Sequence, residues 1–263
     1  MTSALDFQII AFFTILCVGL LGGYFAYRLN TSARSHSLLS FGNTFGGGIF
    51  LGAGFIHMLP DSVGGFATLF PDIEYPIATT IAGISFLMLI FVEKVIFPDH
   101  EHPGIGEGTE DKKGLKLYPY VLLLVLSVHS IITGIALGVE KELFEASVLF
   151  FAVIAHKGAA AFALGTSIIR GGFPTQKLKH LIIAFSLMTP LGLLCGSVLT
   201  RFLSGDSQEV FETVFNALAA GSFIYVAAID ILQDELTEKN HRRSKFFFVA
   251  LGFSVMAILA LWL

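Results

Sequence analysis

Charge is what this chain has least of. Only 14% of its 263 residues are Asp, Glu, Lys or Arg, against about 25% in an ordinary soluble domain. Hydrophobic residues make up 54% and the mean hydropathy is +0.78, which excludes the balance of a soluble domain. Nor is there a basic excess: the net charge of −4 gives no reason to expect a nucleic-acid partner. Cysteine is scarce as well. Cys17 and Cys195 each lie inside an apolar run, so there is neither a disulfide framework nor a CxxC metal motif, and both read as small core residues. HExxH and HxxxH are missing, so the usual signature of a zinc hydrolase is missing too. The N-terminus has no basic n-region and no A-x-A-like cleavage site, so the first apolar run is expected to be retained.

What the chain has instead is length in its apolar runs. A membrane-spanning helix needs about 20 predominantly apolar residues. Eight runs qualify: Leu5–Tyr27, Leu38–Pro60, Ile77–Phe97, Leu117–Val139, Ser147–Ile169, Leu181–Thr200, Phe211–Gln233 and Phe246–Leu263. Short polar stretches separate them, so residues 1–263 read as one packed transmembrane domain with no appended soluble domain. Residues 98–116, with DHEHPGIGEGTEDKKG, form the longest connection and read as a flexible loop in which His100 and His102 could bind metal weakly.

Orientation follows from the basic residues. The loops after spans one, three, five and seven hold Arg28, Arg34, Lys112, Lys113, Lys116, Arg170, Lys177, Lys179, Lys239, Arg242, Arg243 and Lys245. The opposite loops hold only Lys141 and Arg201 among many acids. The positive-inside rule then puts the first set in the cytosol and both termini on the non-cytosolic side of a plasma or organelle membrane.

Residues 47–61, GGIFLGAGFIHMLPD, resemble residues 220–234, AGSFIYVAAIDILQD. Without gaps, Gly48 meets Gly221, Phe50 meets Phe223, Ile56 meets Ile229, Leu59 meets Leu232 and Asp61 meets Asp234, while His57 falls opposite Asp230. The first stretch runs outward and the second inward, so the two copies are expected to be inverted. Inverted repeats recur in secondary transporters, which place their site near the midplane between the halves. His57 and Asp61 would then sit near the outer mouth, with His57 close to the surface, and Asp230 and Asp234 near the cytosolic mouth.

An ionised group inside a span costs roughly 2.5–3.5 kcal/mol at a helix centre and usually lines a path. His129 lies near the middle of span four and His156 near the middle of span five, and the short loop between these spans makes them antiparallel neighbours. Ser130 adjoins His129, and Thr133 is one turn on along the same face. Two imidazoles with hydroxyls suit zinc or ferrous iron. Interhelical hydrogen bonding is the competing reading of each histidine. Glu140, eleven residues after His129, returns to nearly the same face and could guard the outer mouth or be a solvated acid. Asn43, on the His57 face of span two, either lines the path or bonds helices together. Lys157, beside His156, either pairs with an acid or puts a positive charge where a second metal would sit. Gly42, Gly46, Gly47, Gly48, Gly52 and Gly54 crowd span two, which suits close helix approach or sliding.

HSIITG at 129–134, HKG at 156–158, GFIHMLPD at 54–61, TPLG at 189–192 and GSFIYVAAIDIL at 221–232 resemble the ZIP (Zrt/Irt-like) metal transporter family over all eight spans. The resemblance implies an all-α membrane fold of eight helices arranged as three, two and three. In it, spans 1–3 and 6–8 are inverted repeats around a central hairpin of spans four and five. It implies import of zinc first, iron next, into the cytosol by alternating access, with an elevator-like motion and no resident cofactor, the metal being substrate. His129, Ser130 and His156 match the family's central metal residues. Asp61 and His57 match its entrance, and Asp230 matches an exit acid. Thr133 and Ala160 stand where many members have Glu, and Thr189 where some do, so a single weakly charged site of His129 and His156 is expected, completed by Ser130 or Thr133 and water. The partners expected are divalent metal ions and the lipid bilayer, with a homodimer as the assembly to test and no nucleic acid. A zinc-dependent intramembrane hydrolase is the alternative function, and it would want three strong protein ligands with one open water position.

Imidazole coordinates metal only in its neutral form, so protons compete with metal at both histidines. Uptake is therefore expected to fall as pH drops through the histidine range. Initial uptake rates against external pH measure this, and a flat profile would remove the histidines from the path.

Overall fold

The computed structural model describes residues 4–30, 35–96, 118–140, 142–199, 206–238 and 240–261. The loop 98–116, with His100 and His102, lies outside them. Every regular element among the described residues is helical. In hydrocarbon the backbone must satisfy its own hydrogen bonds, and a long apolar run without charges does that only as a helix.

Span one is Ala4–Asn30, span four Tyr118–Val139, span five Leu143–Arg170 and span six Thr175–Leu199. Span two runs as Ser35–Gly52, a π-helical turn Ala53–Met58, and Leu59–Leu69. Span three is Ile77–Ile90 with a π-helical end Phe91–Ile96. Span seven is Asp206–Tyr225, a π-helical turn Val226–Leu232, and Gln233–Thr237. Span eight is Arg242–Leu259.

Two boundaries differ from the sequence reading for local reasons. Pro60 does not end span two. It falls in the first turn of the helical segment after the π turn, where its missing N–H costs little. Span eight starts at Arg242 rather than Phe246, after His241 at φ 56°, and its first turn carries Arg242, Arg243 and Lys245. The other seven spans are each long and apolar enough to cross a membrane. Between spans five and six the chain turns at Gly172, φ 68°, a conformation that favours glycine.

The helices fall into two blocks of four. Span one packs on spans five and six, and span four packs on spans six and five. Span two packs on span eight, span three on span seven, and spans two and seven cross each other. The blocks meet chiefly where span two lies on span five and span seven on span four. Glycine permits the tightest crossings. Gly134 and Gly138 of span four face the backbone of Thr189 and Leu193 in span six, and Gly192 and Gly196 return the contact to Ile131 and Ile135. Gly48 faces the Val249 carbonyl of span eight, and Gly221 faces the Ala82 carbonyl of span three.

Cys17 and Cys195 are exposed, not core residues as the sequence suggested. In lipid an apolar side chain gains nothing by turning inward, since the tails are as apolar as the bundle. Hydrophobicity therefore does not report which face of a span is buried.

Candidate metal site

The site is built where the two blocks meet. His129 and His156 are both buried, with ring centroids 5.6 Å apart and planes tilted by 52°. The edge of Phe223, from span seven, closes over them at 4.6 Å from the His129 ring and 6.4 Å from the His156 ring. Phe223 in turn touches Phe50 of span two at 5.0 Å, so two residues matched in the alignment of 47–61 with 220–234 meet beside the histidines.

Hydrogen bonding orients His129. Thr133 Oγ1 donates to the His129 carbonyl at 2.9 Å and lies 3.1 Å from His129 Nε2. A hydroxyl has one proton, so Thr133 serves either the carbonyl or the ring, and the His129 tautomer decides which. His156 Nδ1 lacks a well-aligned hydrogen-bond partner among the described residues, and the backbone of Ala152, one turn back, is its polar neighbour. A buried donor or acceptor left so weakly satisfied is costly unless a ligand uses it.

Lys157 Nζ is buried and pairs with no acid among the described residues. It donates to Ser130 Oγ at 3.0 Å and to the Phe185 carbonyl at 3.0 Å, and sits 3.7 Å from the Phe185 ring centroid. Pro190 of TPLG removes the helical partner of the Ser186 carbonyl, and Lys157 reaches the neighbouring Phe185 oxygen. Ser130 is thus engaged by Lys157, while Thr133 stays on His129.

His57 was expected close to the surface. It is buried, within electrostatic reach of both His129 and His156. The π turn Ala53–Met58 carries it inward, as such turns often do at functional sites. Its Nδ1 lies 2.9 Å from Asp61 Oδ2, and the Asp61 side chain is 43% exposed. Asp230 is buried within the π turn of span seven, and Asp234, one turn on, is half-buried. Glu140 is set apart from the pair: at the end of span four its Oε1 accepts from the Glu142 N–H at 2.8 Å.

Asn43 bonds helices together. Its Nδ2 donates to Glu235 Oε1 at 3.0 Å, and its Oδ1 accepts from Thr166 Oγ1 at 2.7 Å. Among the described residues, no three His, Cys, Asp or Glu side chains converge as a metal cluster. The two histidines therefore offer a sparse donor set that water would have to complete. Phe223, Glu235, Thr166 and Lys245 escaped the sequence reading. Phe223 had a signal, its identity with Phe50 in the repeat. Glu235 had none, because an acid at a span end looks like a solvated one.

Residues 5–114 and 97–260 match the family model of the ZIP zinc transporter. The chain belongs to the ZIP zinc transporter family. It is 31% identical to the human zinc transporter ZIP3 over 85% of this chain and 86% of that protein. It is 27% identical to the mouse zinc transporter ZIP2 over 88% of each. Membership makes it a multi-span protein of metal-ion transport rather than an enzyme. The ZIP match spans the described helices of both blocks.

Proposed function

We propose that the protein carries a divalent metal ion, zinc first and iron next, into the cytosol by alternating access, with His129 and His156 as its central ligands. One observation carries the reading: two buried imidazoles 5.6 Å apart at the seam of two helix blocks. One ring nitrogen of His129 and one of His156 hold the ion, Thr133 steadies the first ring, and water completes the coordination, as borderline metals with imidazole ligands allow. Lys157 Nζ occupies the space beside Ser130 that a second ion would need, which favours one ion at a time.

Asp61 and His57 would gather metal at one mouth, and Asp230 and Asp234 would pass it out at the other. The positive-inside distribution makes the Asp61 end non-cytosolic. An inverted repeat of spans 1–3 and 6–8 around spans four and five is supported by three features. The π turns at Ala53–Met58 and Val226–Leu232 fall on aligned residues. Gly48 and Gly221, also aligned, each admit a carbonyl of the neighbouring span. Exchanging spans one with six, two with seven, three with eight and four with five maps the main helix pairings onto each other. Moving one block against the other would expose the seam to each side in turn.

Metal-dependent uptake of labelled zinc into proteoliposomes, with iron, manganese and cadmium as competitors, tests the reading. No uptake of any of these would overturn it. Thr133→Glu brings a carboxylate to the Nε2 face of His129. It should tighten zinc binding and shift the competition profile, by roughly tenfold if it gains about 1.4 kcal/mol. Identical KM and competition would mean that position 133 does not face the ion.

A further inference from the structure

At the end of the bundle opposite Asp61, five side chains from four spans form one buried network. Ser40 donates its hydroxyl to Glu235 Oε2, and Asn43 donates to Glu235 Oε1 at 3.0 Å. Lys245 Nζ donates to Glu235 Oε2 at 3.2 Å, to the Glu235 carbonyl at 2.8 Å and to Glu238 Oε2 at 2.6 Å. Thr166 of span five ties in through Asn43 at 2.7 Å. Glu235 and Lys245 are 3% and 2% exposed, so this is a desolvated ion pair whose carboxylate is held by neutral donors as well.

Two features go beyond a static brace. First, the Asn43–Thr166 bond crosses from one helix block to the other, while Glu235, Lys245 and Ser40 position Asn43 within its own block. Second, the positions that match Glu235, Ser40 and Asn43 at the other end are neutral. The offset that pairs Gly48 with Gly221 pairs Glu235 with Ser62, Ser40 with Thr213 and Asn43 with Asn216. There, among the described residues, Ser62 Oγ donates to the Thr213 carbonyl at 2.8 Å, a neutral bond within one block. Asp61, at that end, has a side chain 43% exposed, while Asp230 is buried.

We propose that Glu235, Lys245, Ser40, Asn43 and Thr166 form a latch that holds the metal path shut at the Asp230 end and must part before metal leaves there. It rests on the alternating-access reading above. Glu235 and Lys245 are positioning residues, acting through Asn43 and never touching the ion. With a charged latch tying the two blocks together at the Asp230 end, the resting protein favours opening at the Asp61 end.

Cysteine labelling tests this in proteoliposomes, in a background with Cys17 and Cys195 replaced by alanine. Gly46→Cys reports behind the latch, since a side chain there meets only the Ala159 carbonyl, at 3.9 Å. Asp61→Cys reports at the other mouth. With Glu235→Gln, impermeant maleimide applied at the Asp230 side should label position 46 about tenfold faster, and label position 61 correspondingly slower from its own side. The swap Glu235→Lys with Lys245→Glu should restore the parent pattern. Unchanged labelling overturns the latch, and so does faster labelling at both positions, the mark of a merely loosened bundle. Zinc uptake by the parent is measured in parallel: its absence sinks the transport reading, whereas normal uptake with unchanged labelling sinks the latch alone.

Discussion

Replacing either His129 or His156 with alanine is expected to abolish zinc uptake while the protein still reaches the membrane. The two rings face each other at 5.6 Å, and no third His, Cys, Asp or Glu joins them as a cluster among the described residues. Removing one leaves a single imidazole. Losing even an outer partner of a metal ligand costs roughly 10–100-fold in affinity or activity, so losing one of two ligands should cost more. Neither histidine braces other helices by a strong side-chain bond: His129 bonds Thr133 in its own helix, and His156 Nδ1 is poorly satisfied. Expression should therefore survive. Labelled zinc uptake with surface biotinylation checks both points, and His→Gln variants of the same volume separate lost ligand from lost packing. Normal uptake in both alanine variants would remove the pair from the path.

Gly134→Ala is expected to prevent a stable bundle. A methyl group there falls inside contact distance of the Thr189 carbonyl oxygen and 2.9 Å from the Leu193 nitrogen. Both obstacles are backbone, so no side chain can swing aside. Overpacking ordinarily costs about 1–3 kcal/mol when neighbours can adjust, and occasionally more. Here span four must move off span six, and His129, just over one turn back, moves with it. Gly83→Ala is the matched control, because a methyl there meets nothing within 4 Å. It should gain stability by roughly 0.5–1 kcal/mol from the stiffer helix backbone. Size-exclusion profiles and thermal melts in detergent compare the two, and a monodisperse, equally stable Gly134→Ala protein would contradict the crossing.

Much of the molecule was legible in residue order. The eight spans followed from run length, because a bilayer sets how many apolar residues a helix needs. The histidine pair was legible because an imidazole in hydrocarbon needs a reason. The likeness of residues 47–61 to 220–234 was legible from Gly48, Phe50 and Asp61 against Gly221, Phe223 and Asp234, and the ZIP motifs pointed to the family. Cys17 and Cys195 were misread because in a membrane an apolar side chain carries no inside–outside signal. His57 was expected near the surface from its place beside Asp61 in the aligned stretch, whereas it lies buried in the π turn Ala53–Met58.

The sequence by itself determined the class, the span count, the pairing of His129 with His156 and the family. All of these depend on local composition or on short motifs. Only the tertiary structure decided the rest. It put Lys157 on Ser130 and Phe185, carried His57 inward, closed Phe223 over the imidazoles, and made Asn43 a helix-bonding residue in a buried network with Glu235 and Lys245. These contacts join residues far apart in the chain. In a bundle without a hydrophobic driving force between its helices, they are set by which small residues let two backbones meet and which polar groups then find each other.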